Sequence, residues 1–376
     1  MCRSLSLFCL FSSFFLLTSL TLAQDVSATD SSLSVQTESK VEPFSWLETN
    51  MLAANNYIIP RYQALAKSAQ SLSDEINRLC ELEKPVALNE KVQDQFELTY
   101  NNWAEIQHIK FGPISFLKRL ERLQFWPDKH NVGGRQIRDF LAELESGKSY
   151  SLQELQTKSV AVQGMSALER LLYSVDEKVS KTECQLASLV AQNIAVVTSE
   201  LDSNWREAPV DFAKEFTLAD HGEGTYSSND EVVNLMAESL VTQLLLISEY
   251  KLGRALPQKE GGRVYKRRLE AWRSKLSFGL LITSLDSLYS FYQQVFQNRL
   301  EAIKPDVNET IDKQFRKVVD LSSSEVNSMA ELLESKDGVE QLVSLKDEVK
   351  KLELMIRNEM FTELGFNTRF NALDGD

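Results

Sequence analysis

Val160-Ala161-Val162-Gln163-Gly164-Met165-Ser166-Ala167-Leu168-Glu169-Arg170-Leu171-Leu172 reads as helix. Upstream, Ser151 with Glu154 three residues later forms a capping-box start, so the spacing predicts one helix from there to about Tyr173. Ala161, Gly164 and Ala167 leave a strip of small side chains along which a second helix can come close. A glycine inside a helix costs about 1 kcal/mol relative to alanine, so close packing has to offset it. Ser166 and Glu169, three residues apart, share a face. Two readings follow from these residues: a polar pair presented to a ligand, or close packing with Glu169 held in an ion pair. The residues alone favour the second.

Outward from this stretch the pattern stays helical. Leu65, Leu72, Ile76 and Leu79 recur at helical spacing, and Phe96, Tyr100 and Trp103 mark a further helix that stops near Phe111-Gly112-Pro113. Another is expected over 114–123, a short one around Ile137 and Phe140, and a long one over about 176–205. Residues 208–229 are irregular, and helices resume over about 230–251, 264–303, 307–334 and 339–364. Gly and Pro cluster at the breaks, and no run alternates with the period of a strand. The expected fold class is all-α: two helical bundles in series, 42–207 and 230–376, joined by the segment 208–229.

The ends carry an address. Arg3 precedes an apolar stretch over 5–20, and Thr21-Leu22-Ala23 offers small residues for a signal peptidase, so residues 1–23 read as a cleavable signal peptide. The Ser/Thr/Asp-rich 24–41 reads as a flexible leader. No later segment reads as apolar enough to span a membrane. Cleavage would take the net charge from −13 one unit further negative, a poor balance for nucleic acid or anionic lipid. Beyond the signal only Cys80 and Cys184 remain. In an oxidising compartment they imply one disulfide, or else a pair of buried thiols.

H-E-x-x-H, G-x-S-x-G, P-loop and dinucleotide signatures are absent, and the three histidines, His108, His130 and His221, make a histidine-rich metal site improbable. The second half supplies a basic run instead. Arg263, Lys266, Arg267, Arg268, Arg273 and Lys275 are opposed only by Glu270 within 263–275. It is either a solvated face docked on acidic neighbours or an anion-recognition surface, with Arg273 able to fork onto a carboxylate. On a helix, Glu270, Arg273, Ser274 and Ser277 would share one side and could face Glu169, so Glu169 and Arg273 are expected to pair in one polar pocket. The terminal Asp374 and Asp376 could hold a hard cation such as calcium, although a frayed acidic tail is the commoner case.

Gly164 and Glu169, with Phe111-Gly112-Pro113, Phe125-Trp126-Pro127-Asp128, Leu168-Glu169-Arg170-Leu171-Leu172, Glu270-Ala271-Trp272-Arg273-Ser274 and Ala372-Leu373-Asp374-Gly375-Asp376, give a pattern spread over nearly the whole chain that follows the signal peptide. It resembles the imelysin-like family of bacterial periplasmic proteins, in the branch described as periplasmic lipoproteins. That family's hallmark is G-x-H-x-x-E; here Ser166 stands where the histidine would be, and no lipid-bearing cysteine is present. The resemblance implies two pseudo-symmetric helical bundles with a site between them near Gly164, Ser166 and Glu169. It also implies a link to iron uptake, and founders of the family were once classed as metallopeptidases. Any metal ion (iron, zinc or calcium) would rest chiefly on Glu169, and serine is a poor ligand for zinc or iron. The resulting expectation is a non-catalytic periplasmic binding or accessory protein in iron acquisition, with iron-uptake or other envelope proteins as partners. A degenerate metallopeptidase-like hydrolase and a structural partner in an envelope complex are the alternatives.

Overall fold

The computed structural model describes residues 45–81, 85–173, 178–207, 210–219, 224–259, 261–322 and 328–367. The signal and leader, His221, Asp374 and Asp376 lie outside the described residues.

Nine longer helices stand out among the described residues. A helical run opens at Leu47–Leu52, passes a π-helical turn at Ala53–Ile58 and continues as α1 (Ile59–Cys80). Then come α2 (Glu90–Ile106), α3 (Val132–Glu145), α4 (Gly164–Leu172) and α5 (Lys181–Arg206). The second half has α6 (Asn229–Leu246), α7 (Ser277–Tyr292), α8 (Pro305–Ser322) and α9 (Lys336–Met355). Among the described residues the only β-pairing is an isolated bridge between Val86 and Val179.

Local chemistry sets the starts. Asn89 accepts from the Val92 amide at 2.9 Å to open α2, and Ser180 and Glu183 form a reciprocal capping box on α5. The stripe Val92, Phe96, Tyr100 and Trp103 turns inward. α1 and α5 run antiparallel: Cys80 is bonded to Cys184 at one end, and Tyr62 stacks on Trp205 at the other. α2 leans on α7 across a polar seam, where Ser287 donates to the Glu105 carbonyl at 2.6 Å and Thr283 to Asn101 at 3.0 Å. Segments from before and after 208–229 thus share one core, and Ser45–Asp376 forms one compact unit.

α6, with the π-helical turn Ile247–Leu252 that extends it, is apolar on nearly every side. By length and composition Asn229–Leu252 could cross a membrane, which amends the expectation that no later segment could, but 72% of its most apolar window is buried in this core. A helix apolar all round is what a central core position requires.

Three expected helices are shorter than the periodicity suggested. Residues 114–123 divide into a 3₁₀ turn, Gly112–Ser115, and a short helix, Arg119–Leu123, because Leu117 and Lys118 take positive φ. The capping box at Ser151 is real but opens only Leu152–Gln156; α4 starts afresh at Gly164, so Ala161 is not on its helix. Residues 269–276 are turns, and α7 begins only at Ser277, so Glu270, Arg273 and Ser274 share no helix face. Ala271 (φ 47°) and Lys275 (φ 63°) break the helix there.

Candidate functional site

Gly164 fixes where α4 can lie. Its φ is +75°, and a Cβ there would stand 2.3 Å from the Leu123 carbonyl oxygen. Only glycine permits both the backbone angle and the approach. The glycine therefore sits at the helix entrance, not inside a helix. Behind it, buried Gln163 accepts from Arg122 Nε at 3.1 Å and from Asn193 Nδ2 at 3.1 Å, tying the entrance to α5.

Five residues further on, Glu169 is only 4% exposed. Its Oε1 accepts from the Arg273 amide (2.8 Å), the Ser274 amide (2.9 Å) and the Ser274 hydroxyl (3.0 Å). The turn created by Ala271 and Lys275 aims two successive N–H groups at one oxygen, which a helix would not do. Burial pushes the Glu169 carboxyl up, while these donors and the Arg273 charge pull the other way. The expected side-chain fork between Arg273 and Glu169 is not formed. The Arg273 guanidinium instead lies over the Trp272 ring, 4.2 Å from its centroid, and its main chain holds the carboxylate. Burial and then the neighbouring Arg170 lower the Arg273 pKa to about 10.

Ser166, half-buried, lies beside Tyr100, whose hydroxyl accepts from Gln124 Nε2 at 2.9 Å. Gln124 also donates to Glu270, and this leads to a second polar centre. Glu270 is 2% exposed and pairs with Lys251 Nζ at 2.7 Å, itself 3% exposed and placed by the π-helical turn that extends α6. Ser277 donates to the Glu270 carbonyl.

Ser166, Glu169 and Arg273 therefore line one cavity of about 500 Å³, closed on other sides by Trp126, Asp128 and Trp272. Ser274 secures Glu169; Glu270 and Ser277 belong to the layer beneath. Sequence reasoning missed Lys251, Gln124 and Tyr100, although a lone lysine closing the apolar run of α6 was a usable signal.

The donors around Glu169 decide how well the motif fits a metal. Three N–H or O–H groups occupy Oε1, Ser166 faces Tyr100, and Arg170 and Arg273 bring positive charge. Among the described residues no three His, Cys, Asp or Glu side chains are grouped so as to hold an ion. The set does not fit zinc or iron.

Near Lys251 lies Lys110, half-buried, with its pKa lowered to about 8 by burial and then by the Lys251 charge. Between pH 8 and the ordinary lysine range the native state binds fewer protons than the unfolded chain. The cost is thus complete below pH 8 and fades as pH rises through that window. The full shift corresponds to about 3 kcal/mol, which solvent screening at this partly exposed side chain reduces to about 1–2 kcal/mol. Lys110→Met should stabilise the protein by that amount at pH 7 in urea unfolding, with the gain vanishing near pH 10.5. A variant no more stable than wild type at pH 7 would refute the assignment.

The family model described as Imelysin (Peptidase_M75) matches residues 58–354. An imelysin-like protein from Psychrobacter arcticum 273-4 superposes with a TM-score of 0.71 at 19% identity, over 86% of this chain and 98% of that one. A protein described as an iron-regulated protein A precursor from Parabacteroides distasonis ATCC 8503 gives a TM-score of 0.67 at 13% identity, over 85% and 96% of the two chains. The search of curated proteins finds no match. With the family model covering most of its length and these folds superposing over about 85% of it, this chain belongs to the imelysin family.

Proposed function

We propose that this protein is a non-catalytic binding or accessory protein of the bacterial periplasm that serves iron acquisition, with its ligand site in the cavity lined by Ser166, Glu169 and Arg273. The observation that carries this reading is the commitment of one Glu169 oxygen, Oε1, to three internal donors, which leaves Oε2 as the only carboxylate oxygen the motif can offer. A general base or metal ligand needs a lone pair aimed at substrate or ion. Oε1 of Glu169 is instead engaged by three donors from residues 273 and 274, and Ser166 replaces the one imidazole the motif could have offered. What remains is a shaped, polar cleft whose family motif serves as its scaffold. The iron-related description of the Parabacteroides neighbour, together with its being a precursor, supports an exported protein in that process.

Calorimetric titration tests the metal side. Zinc and iron affinity should be at least about 100-fold weaker than in a family member with histidine at the Ser166 position, since even outer-shell changes cost 10–100-fold. Tight binding that Glu169→Ala abolishes, or peptide cleavage that depends on Glu169, would defeat the non-catalytic reading. Unimpaired growth of a deletion strain under iron limitation would defeat the iron role.

A further inference from the structure

The cavity above Glu169 has an unusual charge inventory. Arg170, Arg254, Arg267, Arg268, Arg273 and Lys129 line it, against only two carboxylates, Asp128 and Glu169. Both carboxylates are already engaged by main-chain amides. Asp128 accepts from Val132 N at 2.7 Å and Gly133 N at 3.0 Å, and Glu169 from Arg273 and Ser274. Arg170 reaches Asp128 only at 3.9 Å. Among the described residues, Arg254, Arg267, Arg268 and Arg273 form no ion pair with any carboxylate.

The planes of three of them are instead held by aromatic rings. Arg267 and Arg273 lie over Trp272, at 5.6 and 4.2 Å from the centroid, and Arg268 lies over Tyr265 at 3.8 Å. Cation–π stacking orients a guanidinium without neutralising it, and leaves its edge N–H donors open to a second partner. The groups also repel one another: after burial, Arg170 and Arg267 help lower the pKa of Arg273 against the opposing Glu169 charge, and Arg268 helps lower that of Arg254. Five clustered guanidiniums facing only two carboxylates, both already bonded to main-chain amides, are a standing electrostatic cost. A bound oxyanion would relieve it.

We propose that this cleft binds a small anion carrying two or more carboxylate or phosphate groups, gripped by Arg267 and Arg273 together with Arg170, Arg254 and Arg268. The volume of about 500 Å³ suits a compact molecule. Five guanidiniums exceed what one carboxylate or one phosphate can engage, which sets the requirement for several anionic groups. The proposal deepens the functional reading above and rests on its placing the ligand in this cavity.

Titration of the full chain with citrate and with pyrophosphate, with acetate and inorganic phosphate as single-group controls, tests it. Wild type should bind citrate or pyrophosphate in preference to its single-group control; the better arm identifies carboxylate or phosphate as the natural group. Arg273→Gln and the exposed Arg267→Gln should each weaken that binding about tenfold, the size of one lost charge-assisted hydrogen bond. Lys336→Gln, a change at an exposed lysine outside the cleft, should leave it unaltered. Thermal melts of each variant confirm that the fold is intact, and Arg267→Gln carries the test should Arg273→Gln unfold. Wild type that binds neither polyanion at millimolar concentration, or variants that bind as tightly as wild type, overturn the proposal. Either failure leaves the iron role to the deletion strain, so the two readings fall separately.

Discussion

Glu169→Ala is expected to lower the unfolding free energy by about 3 kcal/mol, whereas Arg273→Ala should cost less than about 1 kcal/mol. The contrast follows from where the hydrogen bonds go. Removing the carboxylate strands two amides and a hydroxyl at residues 273 and 274, and each buried unsatisfied group costs about 1–3 kcal/mol. Part of that loss is returned because burying the Glu169 charge is itself unfavourable, as the direction of its pKa shift records. Truncating Arg273 removes neither its amide nor the carboxylate. A double-mutant cycle should therefore find Glu169 and Arg273 additive within about 0.5 kcal/mol, and Glu169 and Ser274 clearly non-additive. Glu169→Gln, which keeps one acceptor oxygen, should fall between wild type and alanine. A coupling above about 1 kcal/mol between Glu169 and Arg273 would mean that the guanidinium, not the main chain, holds the carboxylate.

The all-helical fold was legible because its signals are local. Apolar spacing in α1 and α2, the capping box at Ser151, and glycine or proline at the breaks all act within a few residues. Glu169 was legible through its motif, and the charge of the cleft through the basic run 263–275. The partners were not. Gly164 is required by the carbonyl of Leu123, forty-one positions away, which no helical spacing reveals. Residues 269–276 carry no glycine, proline or asparagine to announce a turn. Positive φ at Ala271 and Lys275 is imposed by tertiary contacts, and it turns two amides onto Glu169. Arg170 and Arg254 join Arg267 and Arg273 only because α4, the end of the α6 helical run and the turn before α7 converge on one cavity. Local propensity cannot report a constellation assembled from elements so far apart in the chain.

The largest stability effect is expected at a bond remote from the cleft. Replacing both Cys80 and Cys184 by serine should cost about 4–5 kcal/mol, since a cross-link closing about 100 residues removes that much chain entropy from the unfolded state. The bridge spans 104 positions, with its Cα atoms 5.4 Å apart, and joins the last residue of α1 to the first turn of α5. Urea unfolding of the double variant against the oxidised protein measures the cost, and the unfolding slope should rise because the uncrosslinked chain exposes more surface. The native site should be spared. α1 and α5 remain antiparallel through Tyr62 on Trp205 and through Ser188 on Asn77, while Asn193, midway along α5, still holds Gln163 beneath Gly164. Polyanion affinity in the double variant should therefore stay within about twofold of wild type, a difference near 0.4 kcal/mol. Stability lost with affinity kept is the signature of a staple that acts on the unfolded chain. Affinity lost in proportion to stability would instead show that the bridge positions α5, and through Gln163 the entrance of α4, in the folded protein.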